Sequence, residues 1–212
     1  KGVHSLISAF ARVRAETDAR LLVVGFGTFR EALEALTRSL GSGDRHTTGL
    51  LAGSGRLFEG GVEGPMEHLH ATEELFGSAR GLEGAVEFIG PLNHRELVRL
   101  LPAADAAVVP SIFPETFGLV AAEFGASGVP PFVADHSGLR EAGGIVGQDL
   151  PFDTRVSMDG FEENLARALT GYLRRPEKER RRCRETVRRN SIEYLSWETL
   201  ASRIFGLSRE ER

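Results

Sequence analysis

The segment from Pro110 to Glu123 carries the residue types best suited to holding a charged, hydroxylated ligand. It reads Pro-Ser-Ile-Phe-Pro-Glu-Thr-Phe-Gly-Leu-Val-Ala-Ala-Glu. Two acids, Glu115 and Glu123, stand with seven residues between them, and Gly118 begins an apolar run. The pattern predicts a helix over 118–128, bounded by glycines. Its first-turn residues, Gly118 and Leu119, offer backbone N–H groups with no intrahelical acceptor. The helix dipole adds partial positive charge there, so a phosphate is stabilised. Gly118 lets a ligand come close to the backbone. Glu115 lies just before the helix, and Glu123 lies roughly 7–8 Å further along its axis than Gly118. Carboxylates on either side of a phosphate suit two sets of sugar hydroxyls, one at each end of a diphosphate, because vicinal hydroxyls give a carboxylate strong charge-assisted bonds. On spacing alone, the same acids equally suit a helix-start residue and a surface residue.

The elements around this segment are legible from hydrophobic period. Val3, Leu6, Ile7, Phe10 and Val13 fall on one helical face. Leu21 to Val24 is a wholly apolar run, the pattern of a buried parallel strand. Gly25-Phe26-Gly27 turns the chain into a helix bearing Leu33, Leu36 and Leu40. Over 41–84 the period degrades, and the region reads as an insertion or long excursion with a short helix from Pro65 to Phe76. Alternation then returns. Strands are expected at Val86 to Ile89, Ala106 to Val109, Pro131 to Ala134 and Gly144 to Val146, with Asn93 capping a helix that carries Leu97, Leu100 and Leu101. After Asp159 the chain reads as helical throughout. Phe161, Leu165, Leu169 and Leu173 form one stripe, and Trp197, Leu200, Ile204 and Leu207 form the last, with Trp197 as a packing anchor. Strands alternating with helices give an α/β class: a Rossmann-like parallel sheet with helices on both faces, ending in helices. One domain over 1–195 is expected, followed by a C-terminal helix over 196–212.

Composition excludes several classes. The 212 residues carry a net charge of -4, with 41% hydrophobic and 26% charged residues, the profile of a globular chain rather than a disordered one. With an isoelectric point near 5.9, nucleic acid is not an expected partner. The single cysteine, Cys183, allows no internal disulfide and no cysteine zinc cage, and a reducing, cytoplasmic setting is the default. No apolar run approaches membrane-spanning length. From Arg174 to Arg189 there are nine basic residues and three glutamates. This run reads as a solvated helical face, with a peripheral contact to an anionic membrane surface as the second reading. His68 and His70 are read as surface residues, because two residues apart on a helix they point apart.

Pro114-Glu115-Thr116-Phe117-Gly118-Leu119-Val120-Ala121-Ala122-Glu123, followed by Ala126-Ser127-Gly128-Val129-Pro130 and Ser137-Gly138-Leu139-Arg140-Glu141, resembles the signature of retaining, nucleotide-sugar-dependent glycosyltransferases of GT-B fold. The two glutamates with seven residues between them are that family's hallmark. Lys1-Gly2-Val3, Val23 to Gly27, Phe88-Ile89-Gly90 and Trp197-Glu198 resemble further family motifs, in the same order. The resemblance implies the C-terminal half of a GT-B fold. It gives Glu115 the donor-sugar hydroxyls near the reacting carbon and Glu123 the ribose hydroxyls. Thr116 and Phe117, with the Gly118 and Leu119 amides, would line the sugar and diphosphate site. Lys1 would neutralise the diphosphate leaving group. Gly25 and Gly27 would admit the ligand, and Ile89 and Gly90 would neighbour the base. The donor would be a nucleoside-diphosphate hexose, with UDP, GDP and ADP not distinguished. No cofactor is implied, and no metal, since no Asp-x-Asp motif stands out.

The departures carry expectations too. The family pattern sets an arginine and a strand before Lys1, and an N-terminal acceptor-binding domain before those. This chain holds neither, so the donor-binding half alone is expected, without useful transfer activity of its own. The family shows a glycine pair where His136-Ser137-Gly138 stands, which bears on the sugar end of the site. The alternative class is a nucleotide-binding or regulatory module of the same fold without transfer chemistry. A dinucleotide-dependent oxidoreductase is disfavoured, because Gly25-Phe26-Gly27 lacks the third glycine of that fingerprint and also suits a plain tight turn.

Overall fold

The computed structural model describes residues 1–59, 62 and 64–206. Leu207 of the last expected stripe, the rest of 208–212, and residues 60, 61 and 63 of the 41–84 region lie outside the described residues. The chain resolves into two compact units: residues 1–97 with 159–174, and residues 98–158 with 175–212.

In the first unit, α1 (Val3–Glu16) leads into β1 (Leu21–Val24) and α2 (Arg30–Ser42). β1 pairs in parallel with β2 (Val86–Gly90). The register slips between Val23 and Val24, so that Val24 faces Gly90 and Ile89 is the extra residue. α8 (Phe161–Leu173) returns to this unit and packs on α1. Its Phe161, Leu165, Leu169 and Tyr172 are buried, as are Leu6, Ile7, Phe10 and Val13 of α1. The expected stripes are the core faces except at their ends, where Val3 and Leu173 are half-buried and Tyr172 takes the buried place expected of Leu173. β1 departs from expectation. Leu22 is 42% and Val24 38% exposed, because the pair alternates between a half-buried and an exposed face. An apolar run alone cannot tell one covered face from two.

The 41–84 region holds α3 (Arg45–Ser54) and α4 (Glu73–Ser78). The helix expected from Pro65 to Phe76 is absent before Glu73. Thr72 instead caps α4 by accepting from Leu75 N, and His68 sits at φ 64 outside any helix. Asp44 caps α3 in the same way, through Thr47 N. Leu51, Leu75, Phe76 and Leu82 are buried. His4, on α1, is also buried, and its Nε2 meets the Glu67 carbonyl at 2.7 Å.

α5 (His94–Leu100) spans the boundary between the units. Asn93 caps it as expected: its Oδ1 accepts from Arg95 N and Glu96 N, and Glu96 reaches back to Asn93 N, a reciprocal capping box.

The second unit is built on a parallel sheet of β3 (Ala107–Val109), β4 (Pro131–Ala134) and β5 (Arg155–Val156), in that order. α6 (Leu119–Ala126) and α7 (Ser137–Val146) pack on it, and α9 (Glu177–Leu195) packs on those two helices. The core includes Phe132, Val133, Leu139, Val146 and Val187. The strand expected at Gly144 to Val146 is instead the last turn of α7, and the true final strand is two residues long. Gly143 breaks the helical signal there because α7 lies so close to β4 that a Cβ would overlap Val133. Part of the basic run is also structural. Arg180 pairs with Asp105 and Glu177, while Arg184 donates to the Pro102 and Ala104 carbonyls. Cys183 is buried, which raises its thiol pKa and makes it a poor nucleophile. α10 (Trp197–Phe205) starts at Ser196, whose hydroxyl accepts from Thr199 N. Thr199 is buried on this helix while Trp197 is 81% exposed, so Trp197 is not the packing anchor expected.

Every strand pairing is parallel and helices flank the sheets, which is the α/β, Rossmann-like class expected. Among the described residues no helix is long and apolar enough to cross a membrane.

Candidate functional site

In the second unit the loop after β3 brings Glu115, Thr116, Phe117, Gly118 and Leu119 to the start of α6. Gly118 is the N-cap, at φ 93 and ψ 49. Side chains rarely adopt this left-handed conformation, and a Cβ there would also stand 2.7 Å from Leu139 Cδ2. Gly118 is thus required twice, by its own backbone and by α7. It starts the helix at Leu119 and Val120, which are 64% and 49% exposed. Ala121 N already bonds to Gly118 O at 2.9 Å, so the remaining first-turn donors belong to Leu119 and Val120. Glu123 is exposed on the next turn.

The N-terminus of α7 fastens this loop. Gly138 N donates to Glu115 O at 2.9 Å, and Glu115 N donates to Ser137 Oγ at 2.9 Å. A Cβ on Gly138 would overlap the Thr116 carbonyl oxygen and the Phe117 N and Cα, so α7 rests directly on the Thr116–Phe117 peptide. His136 spans from Ser137 Oγ, 2.9 Å from Nδ1, to the Ser111 carbonyl, 2.6 Å from Nε2. Two helix N-termini therefore converge on the loop that carries Glu115. Their dipoles favour negative charge at their open ends.

The remaining expected residues lie in the first unit. Gly25 and Gly90 meet at the carboxyl ends of β1 and β2, where Gly25 N donates to Gly90 O at 2.9 Å. Ile89, the extra residue at the register slip, is 37% exposed. Gly27 accepts from Arg30 N at 3.2 Å. Lys1 is exposed just ahead of α1, whose N-cap is Gly2. Arg30 was not apparent from sequence. Its Nη2 donates to Phe88 O at 2.7 Å, its Nε to Glu34 at 2.7 Å, and its Nη1 lies beside Gly90. It braces the end of β2 against the glycine turn. The Arg-x-x-x-Glu spacing to Glu34 was the available signal, and it reads as an ordinary surface pair.

Residues 66–190 match the family described as glycosyl transferases group 1. The chain belongs to the group 1 glycosyl transferases. The matched stretch contains β2, the whole Pro110–Glu123 segment and α7. Over 119 residues it is 40% identical to a glycogen synthase of Mycobacterium tuberculosis, covering 56% of this chain and 27% of that protein. An MMP alpha-(1->4)-mannosyltransferase of Mycolicibacterium hassiacum is 29% identical over 202 residues, 95% of this chain and 38% of that protein. A GDP-mannose-dependent alpha-(1-6)-phosphatidylinositol dimannoside mannosyltransferase of M. tuberculosis is 33% identical over 141 residues, 66% and 32% of the two. The chain thus spans 27% to 38% of the length of these relatives.

Proposed function

We propose that this chain is the donor-binding part of a retaining glycosyltransferase that moves a hexose from a nucleoside diphosphate to an acceptor. The observation that carries the reading is the seating of Glu115. Its peptide is gripped on both sides by α7, immediately ahead of the open amides of Leu119 and Val120, with Glu123 exposed one turn further on. In this reading the α6 amides receive the diphosphate, Glu123 the ribose hydroxyls, and Glu115 the sugar hydroxyls. Thr116 and Phe117 line the sugar side. Gly25, Gly27, Ile89 and Gly90 serve the nucleotide side, and Lys1 is a cation for the leaving diphosphate. Transition-state charge on that diphosphate is then met by amides and cations in place of a metal. Relatives named as a glycogen synthase and mannosyltransferases support hexosyl transfer.

Calorimetric titration with UDP, GDP and ADP, each with and without its sugar, tests this. One nucleotide should bind, unaffected by EDTA. Glu123→Ala should weaken it about 10- to 100-fold, the worth of hydrogen bonds to a charged group. Unchanged affinity in that variant overturns the role of Glu123.

The acceptor-binding part is assigned to sequence outside these 212 residues, in keeping with the limited share of each relative that the chain covers. The chain alone should therefore bind donor but show no transfer to sugar acceptors in a radiolabelled-donor assay. Sustained turnover would show that these residues hold a complete active site.

A further inference from the structure

Behind Glu115 lies a hydrogen-bonded chain that the donor-site reading does not use. His136 Nε2 faces the Ser111 carbonyl at 2.6 Å. A carbonyl only accepts, so Nε2 carries the ring hydrogen. In the neutral ring Nδ1 is then an acceptor, and it takes the Ser137 hydroxyl hydrogen at 2.9 Å. With its hydrogen committed to His136, Ser137 Oγ presents a lone pair to Glu115 N, also at 2.9 Å. The hydroxyl is thereby oriented from both sides. Ser137 holds this post at φ 45, a left-handed conformation that a serine adopts at a cost. Glycine would adopt it freely but would leave Glu115 N without this partner.

We propose that Ser137, oriented by His136, is a positioning residue for Glu115 and sets how strongly the site holds the sugar of a donor relative to the bare nucleotide. The proposal rests on the donor-site reading above, in which Glu115 faces the sugar and Glu123 the nucleotide. Ser137 touches no substrate in this scheme and acts by fixing the Glu115 backbone.

Two variants of the whole chain test it. Ser137→Gly removes the hydroxyl and relieves the backbone. His136→Phe keeps a ring but removes both of its hydrogen bonds. Three quantities are read: hydrogen exchange of the Glu115 amide in the ligand-free chain, the denaturation midpoint, and calorimetric affinities for UDP, GDP and ADP and for UDP-glucose, GDP-mannose and ADP-glucose. In both variants the Glu115 amide should exchange at least about tenfold faster. Affinity for the bare nucleotide should hold, while that for its sugar form falls about three- to tenfold. The Ser137→Gly midpoint should stay level or rise. Unchanged Glu115 exchange, or an unchanged ratio of sugar-nucleotide to nucleotide affinity, overturns the proposal while Glu123→Ala still reports the donor site. A lower Ser137→Gly midpoint with equal loss of both ligand forms also overturns it, since that marks a purely structural role. A wild-type chain that binds none of the six ligands overturns the donor-site reading and this proposal together.

Discussion

Gly138→Ala should lose most of its stability margin, by about 3–5 kcal/mol, together with all measurable nucleotide binding. The added methyl would overlap the Thr116 carbonyl oxygen and the N and Cα of Phe117. These are backbone atoms, which cannot swing aside as a side chain can. Relief requires α7 to lift from the loop or the loop to move from α6. Either movement breaks the bond from Gly138 N to Glu115 O and the bond from Glu115 N to Ser137 Oγ. Chemical denaturation gives the stability change and calorimetry the binding loss. Gly171→Ala is the control: Gly171 lies within α8, and a methyl added there would have nothing within 4 Å. In a helix interior that change should be neutral or stabilise by up to about 1 kcal/mol. Equal, small effects for the two variants would show that the contact between α7 and the Thr116–Phe117 peptide is dispensable.

Stability should also fall as pH rises through neutrality, and Glu162→Gln should abolish that slope. Glu162, at the start of α8, is 4% exposed. Burial pushes its carboxyl up to about 7, against the lowering effects of the Ser8 hydrogen bond and the Arg12 charge. Ser8 Oγ donates to Glu162 Oε2 at 2.6 Å, while Oε1 and the neighbouring Ser5 Oγ find no hydrogen-bond partner among the described residues. Arg12 is engaged elsewhere, with Glu163 at 3.1 Å and Glu74 at 3.9 Å. The folded chain therefore holds this proton more tightly than the unfolded chain, whose carboxyl titrates near 4.5. The stabilisation is fully present below the unfolded value and is lost as pH rises through about 7. Its size is about 3 kcal/mol from the difference between the two values. Unfolding free energies of the wild-type and Glu162→Gln chains from about pH 5 to 8.5 test this, a range that brackets the folded value. The amide variant should gain on the wild type as pH rises. Parallel curves would mean that Glu162 titrates as an ordinary exposed carboxylate.

Features whose cause lies within a few neighbouring residues were legible in the chain read in order. Leu21–Val24 and Pro131–Ala134 are strands at the expected bounds, because a short apolar run between turn residues has few other uses. Asn93 declared a helix start that the structure reproduces, with Glu96 completing a reciprocal cap. The Pro110–Glu123 motif was readable because its information is contiguous: a glycine at a helix start and two acids at fixed offsets share one short segment. Features that depend on distant neighbours were settled only by packing. The 41–84 region is a separate case: the caps at Asp44 and Thr72 that start α3 and α4 are local signals, but hydrophobic period does not register them. Gly144 to Val146 read as a strand because Gly143 lets α7 approach β4, and a glycine that serves close approach erases the helical pattern. Trp197 looked like an anchor because size suggests burial, but the packing of α10 on α9 leaves it exposed and buries Thr199 instead. The clamp on Glu115 likewise joins residues 22 positions apart. Hydrogen bonds and close backbone approach are properties of pairs brought together by folding, and a single chain read in order records only one member of each pair at a time.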